Sequence, residues 1–269
     1  MAVHYFAVTG TGAADGSSRA DAQTASVTNM NTAAATVGDG GTLYFETGTY
    51  TFSADQAFRK GVIYESIEPL GAVFDQGTTT VSILYLGATS NTAATTIKNI
   101  SLVNYRAYNQ APTGFTSVLD GVKMEWDTAS DVTYGFINTQ GKELNVRNSI
   151  LIPNFSNNDP LFDGSGTSFS LTNSSIFVKA SAVGANGIIV NAANIPATLK
   201  NCIFVSDTSS AIGASLASSA TNCCFQNFGS NNTSGGTNNV FADPQFVDAA
   251  NGDYRLRPSS PCINAGTAS

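Results

Sequence analysis

Short stretches of alternating hydrophobic and polar residues recur along the chain, and an asparagine interrupts each stretch near its middle. In a representative stretch, Leu-Asn-Val-Arg-Asn-Ser-Ile-Leu-Ile at residues 144–152, aliphatic residues flank the central asparagine on both sides. The asparagines in this position are Asn99, Asn148, Asn173, Asn201 and Asn222. Because alternation over about four to eight residues indicates a β-strand, each stretch predicts two short strands that meet at the asparagine.

The spacing of these asparagines indicates stacked coils. They are separated by 49, 25, 28 and 21 residues, and the first separation is close to two periods of about 24.5. The omitted repeat should fall at residues 122–126, where Val-Lys-Met-Glu-Trp also alternates. Such a period, without a helical pattern and without the Leu-x-x-Leu-x-Leu spacing of leucine-rich repeats, is typical of β-solenoids. The repeat therefore predicts an all-β chain folded as a single right-handed parallel β-helix with short N- and C-terminal caps.

The repeat divides the chain into three parts. Residues 1–40 are expected to form an N-terminal strand and cap, residues 41–240 the coils, and residues 241–269 a C-terminal capping segment. The end of a solenoid exposes unpaired strand edges that invite aggregation, so each terminal part is expected to cover one end. In the first cap, residues 12–37 are rich in Ala, Ser, Thr and Asn and are expected to contain a short helix, for example from Arg19 to Asn31.

Equivalent residues of a β-helix lie above one another at about 4.8 Å. The five asparagines are therefore expected to form a structural ladder, because asparagine tolerates unusual backbone angles and stacked amides can bond from coil to coil. The same alignment places Cys202 next to Cys223 at nearly the distance of a disulfide. A disulfide and a reduced pair are both compatible with the sequence.

Composition and charge narrow the range of functions. Charged residues make up only 12% of the chain and its net charge is −7, whereas nucleic-acid binding without sequence preference requires a basic surface. Nucleic acid and membranes are therefore not expected as partners, and no apolar run is long enough to span a bilayer. The four cysteines form no Cys-x-x-Cys pair and His4 is the only histidine, so neither a metal site nor a cofactor is predicted.

The best candidate for catalysis is a run of acidic residues around the only tryptophan. Asp127 and Asp131 are expected at a coil turn close to Trp126. Glycoside hydrolysis uses carboxylates about 5–10 Å apart, and an aromatic side chain can bind the face of a sugar ring. The alternative is that these acids lie on a solvated edge and have no catalytic role.

A basic residue lies just before the repeated position in four stretches: Lys98, Lys123, Arg147 and Lys200. If the asparagines point inward, alternation turns these side chains outward, and the result is a basic column that could bind an anionic glycan or a partner. The alternative is a protective role, because lysine on an exposed sheet discourages association between strands.

Both ends of the chain resemble known families. The opening Tyr-Phe-Ala-Val-Thr-Gly at residues 5–10, with Gly-Thr-Tyr at residues 48–50, is similar to the N-terminal segment of many bacterial parallel β-helix proteins. Phe-Ala-Asp-Pro-Gln-Phe-Val-Asp at residues 241–248 and Ser-Pro-Cys-Ile-Asn-Ala-Gly at residues 260–266 resemble the closing segment of choice-of-anchor Q and pectate-lyase-like proteins. The resemblance implies the fold and no single activity, since such scaffolds carry lyases, hydrolases, adhesins and phage spikes. Ala13 replaces an aspartate that is usual in the N-terminal loop, so the resemblance implies no calcium site there.

These features favour a structural protein on the surface of a bacteriophage particle, such as a capsid decoration, a fibre or a tailspike-like subunit. The N-terminus lacks the basic region and long apolar stretch of a signal peptide, and a virion protein made in the host cytoplasm needs none. The expected location is the virion surface, with an extracellular location as the alternative. The expected partners are other virion proteins and a host cell-surface glycan, in a homotrimer. The alternative function is an extracellular polysaccharide lyase or glycoside hydrolase.

Overall fold

The structure, a computed structural model, describes residues 2–52, 56–58, 61–77, 82–86, 94–109, 114–126, 137–139, 142–153, 162–163, 169–178, 197–210, 220–228 and 236–267. Within these ranges, no helix has the length and apolar character needed to cross a membrane.

Three parallel sheets contain nearly all of the strands. The first sheet consists of β1 (Val3–Ala7), β2 (Gln23–Thr24), β3 (Thr42–Phe45), β6 (Ile63–Ser66), β9 (Thr96–Lys98), β12 (Ser117–Asp120), β15 (Leu144–Arg147), β18 (Phe169–Thr172), β20 (Ala197–Lys200) and β22 (Ala220–Thr221). The second sheet consists of β4 (Gly48–Thr51), β7 (Ala72–Asp75), β10 (Ser101–Val103), β13 (Lys123–Glu125), β16 (Ile150–Ile152), β19 (Ser175–Val178), β21 (Ile203–Ser210), β23 (Cys224–Phe228) and β24 (Val240–Phe241). The third sheet consists of β5 (Gln56–Phe58), β8 (Ser82–Leu86), β11 (Tyr105–Asn109), β14 (Ile137–Asn138) and β17 (Phe162–Asp163).

The pairing of these strands defines a solenoid. In the first sheet β12 pairs in parallel with β9 on one side and with β15 on the other, and in the second sheet β13 pairs in the same way with β10 and β16. Asp120 is aligned with both Lys98 and Arg147, so the coil that lacks an asparagine keeps the register. The predicted all-β parallel β-helix is confirmed.

Inward-facing side chains form columns that make up the core. Leu119, Val146, Leu171 and Leu199 are aligned on successive strands of the first sheet and are all fully buried. In the second sheet the rings of Phe204, Phe225 and Phe241 stack at centroid distances of 5.1 and 5.6 Å. Alternation along each strand sends every second side chain into this interior, which is why the sequence pattern predicted the coils.

The repeated asparagines occupy one corner of the coils, where the first sheet ends and the second begins. All five have positive φ angles between 49° and 58°, and Gly121 takes the same position, with a φ of 66°, in the coil without an asparagine. The amide groups connect neighbouring coils: Asn201 Nδ2 donates to Asn173 Oδ1 at 3.0 Å, and Asn148 Nδ2 donates to Asp120 Oδ1 at 2.8 Å. The corner therefore combines a left-handed backbone turn with side-chain bonds between coils.

The N-terminal part is covered by a helix within the predicted region, residues 12–37, although it begins later than the candidate stretch at residues 19–31. Helix α1 spans Val27–Val37, begins at the N-cap Ser26 and ends at Gly38, whereas residues 19–21 form only a short 3-10 turn. The buried face of α1 consists of Met30, Ala33 and Ala34, which join the core beside β1 and β3. Sequence composition alone did not reveal the Ser26 cap, whose hydroxyl accepts from the Asn29 N–H at 3.1 Å.

The C-terminal segment, which was expected to cover the end of the solenoid, contacts the side of the coils. Its antiparallel strands, β25 (Phe246–Asp248) and β26 (Asp253–Leu256), form a hairpin around a 3-10 turn at Ala249–Asn251. Further on, the Thr267 carbonyl accepts from Asn201 Nδ2 at 2.8 Å, and the Thr267 N–H donates to Asn201 Oδ1 at 3.1 Å. Phe241, the last residue of its inward column, is 54% exposed.

Cys202 and Cys223 lie one above the other, as predicted, and both thiols are free. The Cys224 N–H donates to the Cys202 carbonyl at 2.8 Å, which fixes the alignment of the two coils. Both cysteines are 1% exposed. Of the two states that the sequence allowed, the structure contains the reduced pair.

Candidate functional site

An outward-facing column on the second sheet forms one wall of a cleft. Strand pairing aligns Glu125, Ile152, Phe177, Val205 and Gln226 on five successive coils. Their sequence neighbours on each strand point into the core, so alternation turns this column outward. Acidic, aliphatic, aromatic and amide side chains thus lie in a row, one on each coil, and neighbouring coils are about 4.8 Å apart.

The C-terminal hairpin forms the opposite wall. The ring of Phe177 contacts both strands of the hairpin, with centroids 5.0 Å from Phe246 and 4.3 Å from Tyr254. Phe246 and Tyr254 are in turn perpendicular to each other at 6.1 Å. This aromatic cluster holds the hairpin on the sheet, and the cleft between them has a volume of about 580 Å³.

Polar groups line the rest of the cleft. Glu125, Asp243 and Arg257 contribute charges, and Gln226, Gln245 and Ser259 contribute neutral donors and acceptors. Several of these groups are fixed by bonds within the cleft wall, because Asp243 Oδ1 accepts from the Gln245 N–H at 2.8 Å and Ser259 Oγ donates to Gln245 Oε1 at 2.7 Å. The cleft therefore presents both signs of charge beside aromatic surfaces.

The charges at the two sides of the cleft are partly compensated. Glu125 Oε2 forms an ion pair with Lys123 Nζ at 2.6 Å on the same strand. Arg257 Nη2 donates to the Val247 carbonyl at 3.1 Å, which directs the guanidinium along the hairpin. Burial, and secondarily the Glu125 carboxylate, raises the pKa of Tyr254 above its usual value. The Tyr254 hydroxyl is therefore protonated at neutral pH and can donate as well as accept a hydrogen bond.

The residues predicted for catalysis and sugar binding are not those of the cleft. Trp126 was expected as an exposed platform, but it is 1% exposed within the core, because the alternation that turns Glu125 outward turns the next residue inward. Asp127 and Asp131 lie outside the described residues.

The predicted basic column contains three residues rather than four. Lys98, Arg147 and Lys200 are aligned on the first sheet, whereas Lys123 belongs to the second sheet, where it is aligned with Ser101 and Ile150. Lys123 follows the corner residue Gly121, whereas Lys98, Arg147 and Lys200 each precede a corner residue. Lys123 therefore lies on the second sheet and the other three lie on the first.

Acidic residues alternate with the bases of that column. Lys98 Nζ lies 2.7 Å from Glu65 Oε1, and Arg147 Nη2 lies 2.9 Å from Asp120 Oδ2. The Glu65 carboxylate raises the pKa of Lys98 through this bond. From Glu65 to Arg147 the column is therefore a ladder of ion pairs and not a continuous cationic stripe, whereas Lys200 is aligned with Thr172 and Thr221.

The sequence contained a signal for one wall of the cleft that the analysis of charged residues missed. Each wall residue lies four positions after a corner residue: Glu125 after Gly121, Phe177 after Asn173, and Gln226 after Asn222. The positions of the corner residues in the sequence therefore predict which side chains form this column. No comparable signal places Tyr254 or Arg257, because they reach the cleft through the fold of the C-terminal segment.

Comparisons with known proteins assign no family to the chain. No protein-family model matches the chain, and no curated protein matches its sequence. Among solved structures, the crystal structure of pectate lyase Pel9A is similar over 100% of this chain and 92% of its own length, with a TM-score of 0.47 and 15% sequence identity. The coordinates themselves define a parallel β-helix protein, which is the part of the family resemblance that is confirmed.

Proposed function

We propose that this chain is a structural protein of a bacteriophage surface that binds a glycan in the cleft between the second sheet and the C-terminal hairpin. The observation that carries the proposal is the combination of Phe177 and Tyr254 with charged and amide side chains in one cleft of about 580 Å³. Ligand sites typically join apolar and aromatic surfaces to a few placed polar groups. A sugar ring offers the matching surfaces, an apolar face and a rim of hydroxyl groups.

Glu125 provides the sharpest test of glycan binding. Fluorescently labelled protein is applied to an array of bacterial surface oligosaccharides, and the affinity for the best oligosaccharide is then measured by calorimetry. Glu125→Gln should weaken binding roughly 10- to 150-fold, because a hydrogen bond to a charged group contributes about 1.5–3 kcal/mol.

Glu65 offers a matched control for that variant. It is also a partly buried glutamate paired with a lysine, but it lies on the first sheet. Glu65→Gln should therefore leave the affinity within about twofold of the original. An array without any bound oligosaccharide, or an equal effect of both substitutions, would contradict the proposal.

A second candidate function is a polysaccharide lyase or glycoside hydrolase. The observation that favours it is the presence of two carboxylates, Glu125 and Asp243, in the same cleft as Arg257, since such enzymes need acid and base groups and a charge neutraliser. The oligosaccharides that bind should be incubated with the protein and analysed for new ends. A lyase produces reducing ends together with ultraviolet absorption from an unsaturated sugar, a hydrolase produces reducing ends alone, and a binding protein produces neither.

Assembly into a homotrimer on the virion is part of the first proposal. In the described part of the chain, the exposed large apolar side chains are Val3, Val8, Val27, Phe115, Phe241, Val247 and Ile263. All except Phe115 lie in the N-terminal or C-terminal parts. Among the described residues, a trimer interface along the coils would therefore be mainly polar. Light scattering after size exclusion tests the assembly: a stable particle of three times 27.8 kDa supports it, and a monomer at all concentrations contradicts it.

A further inference from the structure

Cys224 is a buried thiol on the outside of the solenoid. It lies in β23, and the residues aligned with it on the two preceding coils, Ile203 and Ser175, are only partly buried. Cys224 itself is 3% exposed. Residues of the C-terminal segment lie against it: the Cys224 thiol donates to the Ala242 carbonyl at 3.5 Å, and Cys262 lines the same cavity.

The two thiols face the same small space. Cys224 and Cys262 line one cavity of about 280 Å³, and interaction with the Cys262 thiol adds to burial in raising the pKa of Cys224. The covering segment is fixed on both sides of Cys262. Ser260 Oγ donates to the Pro244 carbonyl at 2.5 Å, and Thr267 bonds to Asn201. The folded contacts of the C-terminal segment therefore hold Cys262 in the same cavity as Cys224.

We propose that Cys224 and Cys262 are the site of a disulfide that ties the C-terminal segment to the side of the solenoid. With a small-molecule disulfide such as oxidised glutathione as the oxidant, the thiolate of the more exposed Cys262 attacks one sulfur and releases the first glutathione thiolate. The thiolate of Cys224 then attacks Cys262 Sγ in the mixed disulfide and releases the second. The protein gains one S–S bond, and its two thiol protons end on two molecules of reduced glutathione.

The other pair of cysteines differs in ways that predict no reaction in the native state. Cys202 and Cys223 point into the core, and the Cys202 thiol donates to the Leu171 carbonyl at 3.2 Å while the Cys223 thiol donates to the Thr221 carbonyl at 3.4 Å. Both side chains are 1% exposed. An oxidant from solution cannot reach either sulfur without unfolding.

The disulfide has a consequence for the cleft. Arg257 and Ser259, which line the cleft, lie five and three positions before Cys262 in the covering segment. A covalent bond at Cys262 therefore keeps this wall of the cleft against the second sheet. The inference does not depend on what the cleft binds, because it rests on the position of the two thiols alone.

The test uses the full chain in its native state. Reduced protein is incubated with oxidised glutathione, quenched with acid, alkylated and digested, and the peptides are sequenced by tandem mass spectrometry so that Cys223 and Cys224 are distinguished. The expected product contains one Cys224–Cys262 disulfide and alkylated Cys202 and Cys223. A Cys202–Cys223 disulfide, or glutathione that stays on Cys262, overturns the proposal.

Thermal unfolding provides the second measurement. Oxidation should raise Tm by on the order of 10 °C, because the bond closes a loop of 38 residues in the unfolded chain. Cys262→Ser should abolish both the disulfide and the increase in Tm. The matched variant Cys202→Ala should retain both, and an increase in Tm that persists in Cys262→Ser would contradict the assignment.

Discussion

At the scale of single residues, the corner of each coil depends on backbone conformation more than on burial. Asn148 and Asn173 are exposed, yet both adopt positive φ angles that most residue types avoid. Asparagine and glycine are the types that accept this conformation most readily. Gly121 takes the position at a crowded site, where an added Cβ would lie 2.6 Å from Asn99 Oδ1. The backbone conformation of the corner therefore favours asparagine or glycine, at a position where the hydrophobic pattern of the sequence does not specify the residue.

Asn148 tests this separation of backbone and side-chain effects. Asn148→Gly should lose the amide bond to Asp120, which lowers the free energy of unfolding by about 0.5–1.5 kcal/mol. Asn148→Ala should lose about 1 kcal/mol more, because alanine is strained at positive φ. Equilibrium unfolding in urea measures both variants.

Asn145 is the control for this comparison, because it lies within β15. Glycine weakens the interior of a strand, so there the glycine variant should be the less stable of the two. The same order of stability at residues 145 and 148 would contradict the role assigned to the corner.

Tyr64 predicts a dependence of stability on alkaline pH. Burial raises the pKa of Tyr64 in the folded state above its ordinary value of 10.0. The contribution of this group to stability is therefore complete below pH 10 and is lost as the pH rises from there toward the folded pKa, because only the unfolded chain then releases the proton. Tyr64→Phe should reduce the slope of the unfolding free energy above pH 10 by up to about 1.4 kcal/mol per pH unit. Identical slopes for the original protein and the variant would contradict the assigned burial.

At the scale of elements, the sequence predicts strands and columns better than it predicts the segment that covers them. The corner residues fix which side chains face outward on the second sheet, so Glu125 and Phe177 follow from the repeat alone. The position of the C-terminal hairpin depends instead on contacts between Phe246, Tyr254 and the distant Phe177. Such contacts carry no periodic signal, so the sequence analysis predicted a C-terminal capping segment without this hairpin.

Phe177 should control the attachment of the hairpin. Phe177→Ala removes both ring contacts, so the hairpin should open locally while the coils remain folded. Hydrogen exchange of residues 246–256 should accelerate at least tenfold, which corresponds to about 1.4 kcal/mol of lost attachment. Val205→Ala is the control, because Val205 lines the cleft on the next coil. Equal acceleration in the two variants, or none, would show that the aromatic contacts do not hold the hairpin.

At the scale of the whole molecule, the two ends of the solenoid differ. Helix α1 packs beside the first strands of the N-terminal end, whereas Phe241 on the last strand of the second sheet is 54% exposed. An exposed strand edge with an apolar side chain favours association between molecules. The period of the sequence predicted the solenoid itself, because every coil repeats the same burial pattern. It could not predict this asymmetry, because each end occurs only once.

Phe241→Lys should reduce self-association through the C-terminal end. Lysine on an edge strand opposes pairing with another chain, and its aliphatic stem can still cover Phe225. Static light scattering over a range of protein concentrations should show a lower apparent mass for this variant. Val247→Lys, on the exposed hairpin, adds the same charge and should have no effect. A reduction by both variants would assign the effect to net charge instead.

The regular corner also bears on how proteins of this kind can change during evolution. The coils with corners from Asn99 to Asn222 all turn through the same backbone geometry, and each presents an equivalent strand edge to the next. A duplication or loss of the residues between two successive corners would therefore alter the length of the molecule by about 4.8 Å and leave the remaining coils joined as before. Gain or loss of whole coils could therefore change the distance between the two ends of the solenoid in steps, without other changes to its interior.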